Sequence, residues 1–167
     1  IKPIDPKPQL LLADASRSRA ASDGYAQGID SFTSAYGNTG LVQVVQNTSS
    51  IKSKLIVLDI CQRMDVGGEG IGTGLSPLTD LKGYLRDTKQ TPPRYLVGTA
   101  VTVVKPPKFG TLVASVSPYG EMQFAYIANN KTWMGKDRVE FEVSYQGKTY
   151  KVINRIEMVR DLSLIHI

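Results

Sequence analysis

Residues 138–153 constrain the fold more than any other stretch of this chain. Val139, Phe141 and Val143 alternate with Arg138, Glu140, Glu142 and Ser144, so one face is apolar and the other polar. A period of two is that of a strand packed on one side only, because successive side chains point to opposite faces of a sheet. Gln146-Gly147 then supplies a turn into Lys148-Thr149-Tyr150-Lys151-Val152-Ile153, and the two segments read as a hairpin.

The rest of the second half follows the same pattern. Strands are expected at about 95–104, 111–117, 121–127, 138–145 and 148–159, with turns at Lys105-Pro106-Pro107-Lys108, Ser117-Pro118-Tyr119-Gly120, Asn129-Asn130 and Gln146-Gly147. Short strands at this spacing argue for a sandwich. Upstream, Gly40–Gln46 and Lys54–Ile60 are β-branched runs on either side of Asn47-Thr48-Ser49-Ser50, which predicts two further strands joined by a turn. One helix is signalled at about 77–87: Ser76 can cap it, Pro77 suits its first position, and Leu78, Leu81 and Leu85 share a face. Such a helix would pack on the sandwich or cover a sheet edge. The adjacent prolines of Thr88–Arg94 favour an extended linker. The expected organisation is a linker or poorly ordered start (1–24), a β-rich segment (25–87), a linker (88–94), a β-sandwich module (95–161) and a tail (162–167).

Composition removes several function classes. At 167 residues, 41% apolar and 21% charged, the chain has the make-up of a soluble globular protein able to bury a core. Its longest apolar run, Leu55–Ile60, is interrupted by Asp59 and is strand-sized, far short of a membrane span. The net charge of +5 is dispersed, which reads as a solvated surface before a nucleic-acid face. Cys61 has no second cysteine to pair with. The sole histidine, His166, lies in Leu162-Ser163-Leu164-Ile165-His166-Ile167, which resembles a translated sequencing adapter; with no Met at the start, the chain reads as a fragment with a non-native tail. Without that tail there is no imidazole, so neither a Ser-His-Asp nor a Cys-His pair can be assembled. Catalysis by two carboxylates stays open, though no spacing singles out a pair.

Five glycines between Gly67 and Gly74 follow the run Val57-Leu58-Asp59-Ile60, which faintly resembles the first motif of the methyltransferase fold. A glycine loop after a strand can cradle a nucleotide or S-adenosylmethionine. No Gly-x-Gly-x-x-Gly register fits, and no further βα units follow, so a flexible loop is the preferred reading.

Three elements of the last 70 residues resemble bacterial cadherin-like and immunoglobulin-like tandem repeat modules. Pro107, Gly110 and Thr111 match a Pro-x-x-Gly-Thr strand entrance, Tyr126 matches a later Tyr-x-Pro, and Trp133, Gly135, Asp137 and Phe141 match an aromatic residue before Gly-x-Asp-x-Phe-x-Tyr. Ala128, Val139 and Phe141 depart from the usual Pro, Phe and Tyr. The resemblance implies a mainly β, immunoglobulin-like antiparallel sandwich. It also implies a non-catalytic structural or adhesion module of a secreted or surface-attached bacterial protein, whose partners are neighbouring repeats or a cell-surface polysaccharide or protein. Asp137 then either accepts backbone N–H groups at the corner, the preferred reading, or helps ligate calcium, with Asp30 as the other acidic candidate. Trp133 either packs into the core, again preferred, or joins Tyr126 and Tyr119 in a sugar-binding platform. Gly28-Ile29-Asp30-Ser31-Phe32 echoes the Gly-x-Asp corner, and Gly40 stands where Gly147 stands in the later copy, so residues 25–62 read as the end of a preceding module.

Overall fold

The computed structural model describes residues 29–33, 39–46, 54–65 and 73–160. The readings made for 1–24, for the glycines at 67–72 and for the tail at 162–167 fall outside these residues. Among the described residues there are nine strands and one helix: β1 (Ile29–Thr33), β2 (Thr39–Gln46), β3 (Lys54–Asp65), β4 (Thr73–Leu75), α1 (Pro77–Asp87), β5 (Ala100–Lys105), β6 (Gly110–Val116), β7 (Met122–Ala128), β8 (Gly135–Tyr145) and β9 (Lys148–Val159). The protein is mainly β, as its alternation patterns predict.

The strands form two sheets. The larger has the order β1-β2-β3-β9-β8-β5 and the smaller β4-β7-β6. All neighbours are antiparallel except β3 and β9, which run parallel over ten residue pairs from Ile56↔Tyr150 to Asp65↔Val159. This pairing corrects two expectations. The larger sheet is mixed, and residues 88–94 do not separate two modules, because β3 from before that segment is bonded to β9 from after it. Gly40 and Gly147 also differ in role: Gly40 lies inside β2 opposite Phe32, whereas Gly147, at φ +74°, follows Gln146 at φ +50° in the β8–β9 turn. Two positive φ values are what a two-residue hairpin loop needs to match strand twist.

Three strands cannot cover six, since they span two steps of about 4.8 Å against five. The helix covers the remainder. Its N-terminus is held by Ser76, whose hydroxyl accepts from the Thr79 amide (3.3 Å), with Pro77 at a position that needs no donor. At the other end the Thr88 amide donates to the Tyr84 carbonyl (2.9 Å). Tyr84 meets Phe32 of β1 and Tyr150 of β9 edge-on, with centroids 6.3 and 6.1 Å apart, while Phe124 of β7 meets Phe141 of β8 at 4.9 Å. Helix and small sheet therefore share one apolar core with Leu58, Ile60, Leu78, Leu81, Val139, Val143 and Val152. Buried aromatic pairs of this kind contribute about 0.5–1.5 kcal/mol beyond their area.

One expected strand is shorter than its sequence suggests. Residues 95–99 stay outside the sheet and β5 begins at Ala100. The Leu96 amide donates to the Glu121 carboxylate (2.6 Å), so a side chain rather than a strand satisfies it.

Candidate functional site

The segments around Pro107–Thr111 and Trp133–Phe141 meet at Asp137. Its Oδ1 accepts from the amides of Lys108 (2.9 Å) and Arg138 (2.8 Å), and its Oδ2 from the amide of Phe109 (2.8 Å) and the hydroxyl of Tyr126 (2.8 Å). The strand period places Asp137 on the same side as Val139, Phe141 and Val143, at the rim of the core, and it is buried. Hydrogen bonds to an ionised acceptor contribute more than neutral ones, about 1.5–3 kcal/mol each. Burial, and then the Asp137 carboxylate, push the Tyr126 phenol far above its ordinary range, so the hydroxyl stays a donor. The Tyr126 ring occupies the space that a Cβ on Gly110 would need. Gly110 thus lets the ring lie flat across the strand entrance, and Tyr126 in turn reaches Asp137.

The aromatic residues proposed for a sugar platform separate into two places. Trp133 is half-buried over Gly135 and stacks on Phe109, with centroids 4.9 Å apart and planes 22° from parallel; Phe109 and Met134 beside it are exposed. Tyr119 sits in the β6–β7 turn and stacks on Tyr95 at 4.5 Å and 11°. The turn and the Phe109 end are separated by the length of β6, seven residues or about 24 Å. Tyr126 is buried and offers no ring face to a ligand. Asp30 lies on β1, four strands from Asp137 on β8, so the two acids cannot share an ion. Among the described residues no group of three or more His, Cys, Asp or Glu is arranged to hold a metal.

Comparison of the chain with protein-family models, with curated proteins and with solved structures finds no match.

Around Tyr95 the polar contacts close on themselves. Lys82 Nζ donates to Glu121 (3.0 Å) and to the Arg94 carbonyl (3.1 Å), and Lys82 and Arg94 approach the Tyr95 ring at 5.6 and 5.4 Å from its centroid. Cation–π contacts at exposed sites contribute about 0.5–1 kcal/mol. This cluster ties the helix to the β6–β7 turn.

Two acidic arrangements escaped the sequence reading. On the outer face of the larger sheet, Asp59 of β3 and Glu140 of β8 stand opposite Ile153 of β9 from its two sides, about 9.6 Å apart at their backbones. Asp59 accepts from Arg155 (3.0 Å), and Glu140 from Arg138 (2.8 Å) and Lys151 (3.3 Å), so each carboxylate lies against cations instead of the other acid. Between helix and sheet, Asp80 is fully buried and Asn154 Nδ2 donates to it (3.5 Å) and to Gln62 Oε1 (3.3 Å). Burial pushes the Asp80 carboxyl up to about 7, against the downward pull of Asn154. Asn154 Oδ1 is buried without a donor. Half a turn of its amide would bring that oxygen to the O–H of a protonated Asp80.

Proposed function

We propose that the chain is a non-catalytic, immunoglobulin-like structural or adhesion module of a secreted or surface-attached bacterial multidomain protein. The observation that carries this reading is the Asp137 corner, where the Pro-x-x-Gly-Thr, Tyr and Gly-x-Asp elements of the repeat resemblance converge on one carboxylate. The motif residues act as fold determinants there. A module that transmits load would also benefit from the parallel β3–β9 ladder. Pulling β3 from its start and β9 from its end loads the ten paired residues in shear, so many bonds must break together. Single-molecule stretching of the chain by its ends tests this. The expected trace has weak early events as the β1 and β2 hairpins unzip, then one dominant rupture when β3 leaves β9; a chain that unravels without that rupture counts against a load-bearing role.

A second reading, attachment to polysaccharide, is favoured by the Phe109–Trp133 stack at the surface. Trp133→Ala should abolish pull-down by insoluble polysaccharide if this reading holds. Unchanged pull-down would remove it.

A further inference from the structure

Among the described residues four strands end the two sheets: β1 and β5 in the larger, β4 and β6 in the smaller. An edge strand exposes a row of unpaired N–H and C=O groups, and soluble proteins blunt such edges with charges, bulges or brevity. Three of the four follow that rule. β4 has three residues, β1 carries Asp30 at its second position, and β5 has a register break between Val103 and Lys105 and ends on a lysine. β6 has none of these devices. It runs for seven residues in regular register with β7, and no residue from Phe109 to Pro118 is charged. Val113 and Val116 on it are 48% and 65% exposed, far more than valines in a covered strand.

We propose that β6 is a homotypic pairing edge, which joins a second copy of this chain through an antiparallel β6–β6 contact about a two-fold axis at Val113. The sequence of β6 is complementary to itself in that register. Gly110 falls opposite Val116, Leu112 opposite Ala114, Thr111 opposite Ser115, and Val113 opposite its own counterpart. Val116 and Leu112 each meet a small residue, the two copies of Val113 meet each other as a β-branched pair, and the hydroxyls of Thr and Ser pair, which are favourable cross-strand combinations. A two-fold contact is closed, so the union stops at two copies and does not propagate as a fibre. The face that would become continuous also lacks charge. On the outer side of the smaller sheet stand Gly74, Thr111, Val113, Ser115, Gln123, Ala125 and Ile127. Pairing would join the two three-stranded sheets into one of six, the strand count of the larger sheet. This surface is independent of the proposed load-bearing role, and neither result decides the other.

Sedimentation of the full chain up to about 100 μM, enough to populate a micromolar dimer, gives the first test. The expected mass is twice 18.3 kDa at the upper concentrations. Val113→Lys, at an exposed outward position, should raise the dissociation constant at least about tenfold, with a thermal midpoint within about 3 °C of the parent. Val113→Cys should form a disulfide-linked dimer on mild oxidation, while Thr102→Cys on β5 and the parent chain, oxidised in parallel, should not. A chain that stays monomeric, a dimer that Val113→Lys leaves intact, or crosslinking at Thr102 in place of Val113 overturns the proposal.

Discussion

Asp80 is the group whose burial should be most visible in solution. An isolated aspartate titrates near 3.8, and inside this protein its carboxyl is pushed up to about 7. The folded state therefore holds the proton more tightly than the unfolded chain. Stability from this group is fully present below pH 3.8, falls as pH rises, and is gone above about pH 7. Each unit of separation is a tenfold difference in proton affinity, so the whole effect is about 4 kcal/mol, more than half of it lost between pH 5 and pH 8. That is a large share of the 5–15 kcal/mol typical of a domain. Asp80→Asn keeps the shape, removes the proton and leaves a neutral partner for Asn154 and Gln62. Urea denaturation of both proteins at intervals from pH 4.5 to 8.5 isolates the group, because every other titration is common to the pair. The difference should grow with pH in favour of the variant and level off above pH 7. A difference that is flat across this range, or a variant less stable at pH 8, would refute the idea that an uncompensated buried carboxyl is held between helix and sheet.

Asp137→Ala leaves three amides and the Tyr126 hydroxyl without their acceptor. With about 1–3 kcal/mol at stake per buried unsatisfied group, a loss of at least about 3 kcal/mol is expected in chemical denaturation; a loss under about 1 kcal/mol would mean that water replaces the carboxylate. Gly110→Ala forces the Tyr126 ring off the strand and should cost about 1–3 kcal/mol, while Gly98→Ala, which meets no neighbour but adopts φ +75°, reports backbone strain alone. A chain cut down to residues 95–161 removes the strand paired with β9 and the helix over the core, and it should give the collapsed amide spectrum of an unfolded polypeptide; a dispersed spectrum would restore the boundary at 88–94.

What could be read from the sequence was local. Cap, proline and leucine spacing placed the helix at 77–87, and alternation placed β6 to β9 within a few residues, because each signal lies within one element. The β3–β9 ladder was not legible, since its partners are 94 residues apart and a parallel neighbour leaves no mark on either strand's own alternation. Asp80 was missed for a related reason. A helix under one sheet buries one stripe, but α1 also packs against β7 of the second sheet, so the covered arc widens past Leu78 and Leu81 to include the acid. Asp137 was more accessible to reasoning than either. The period that turns Val139, Phe141 and Val143 inward also turns Asp137 inward, to the last core-side position of the strand. A carboxylate there faces apolar packing on one side and a loop's free amides on the other. Backbone donors already within reach cost no ordering of ligands from distant strands, which is why such an acid is held by its own corner before it is held by an ion.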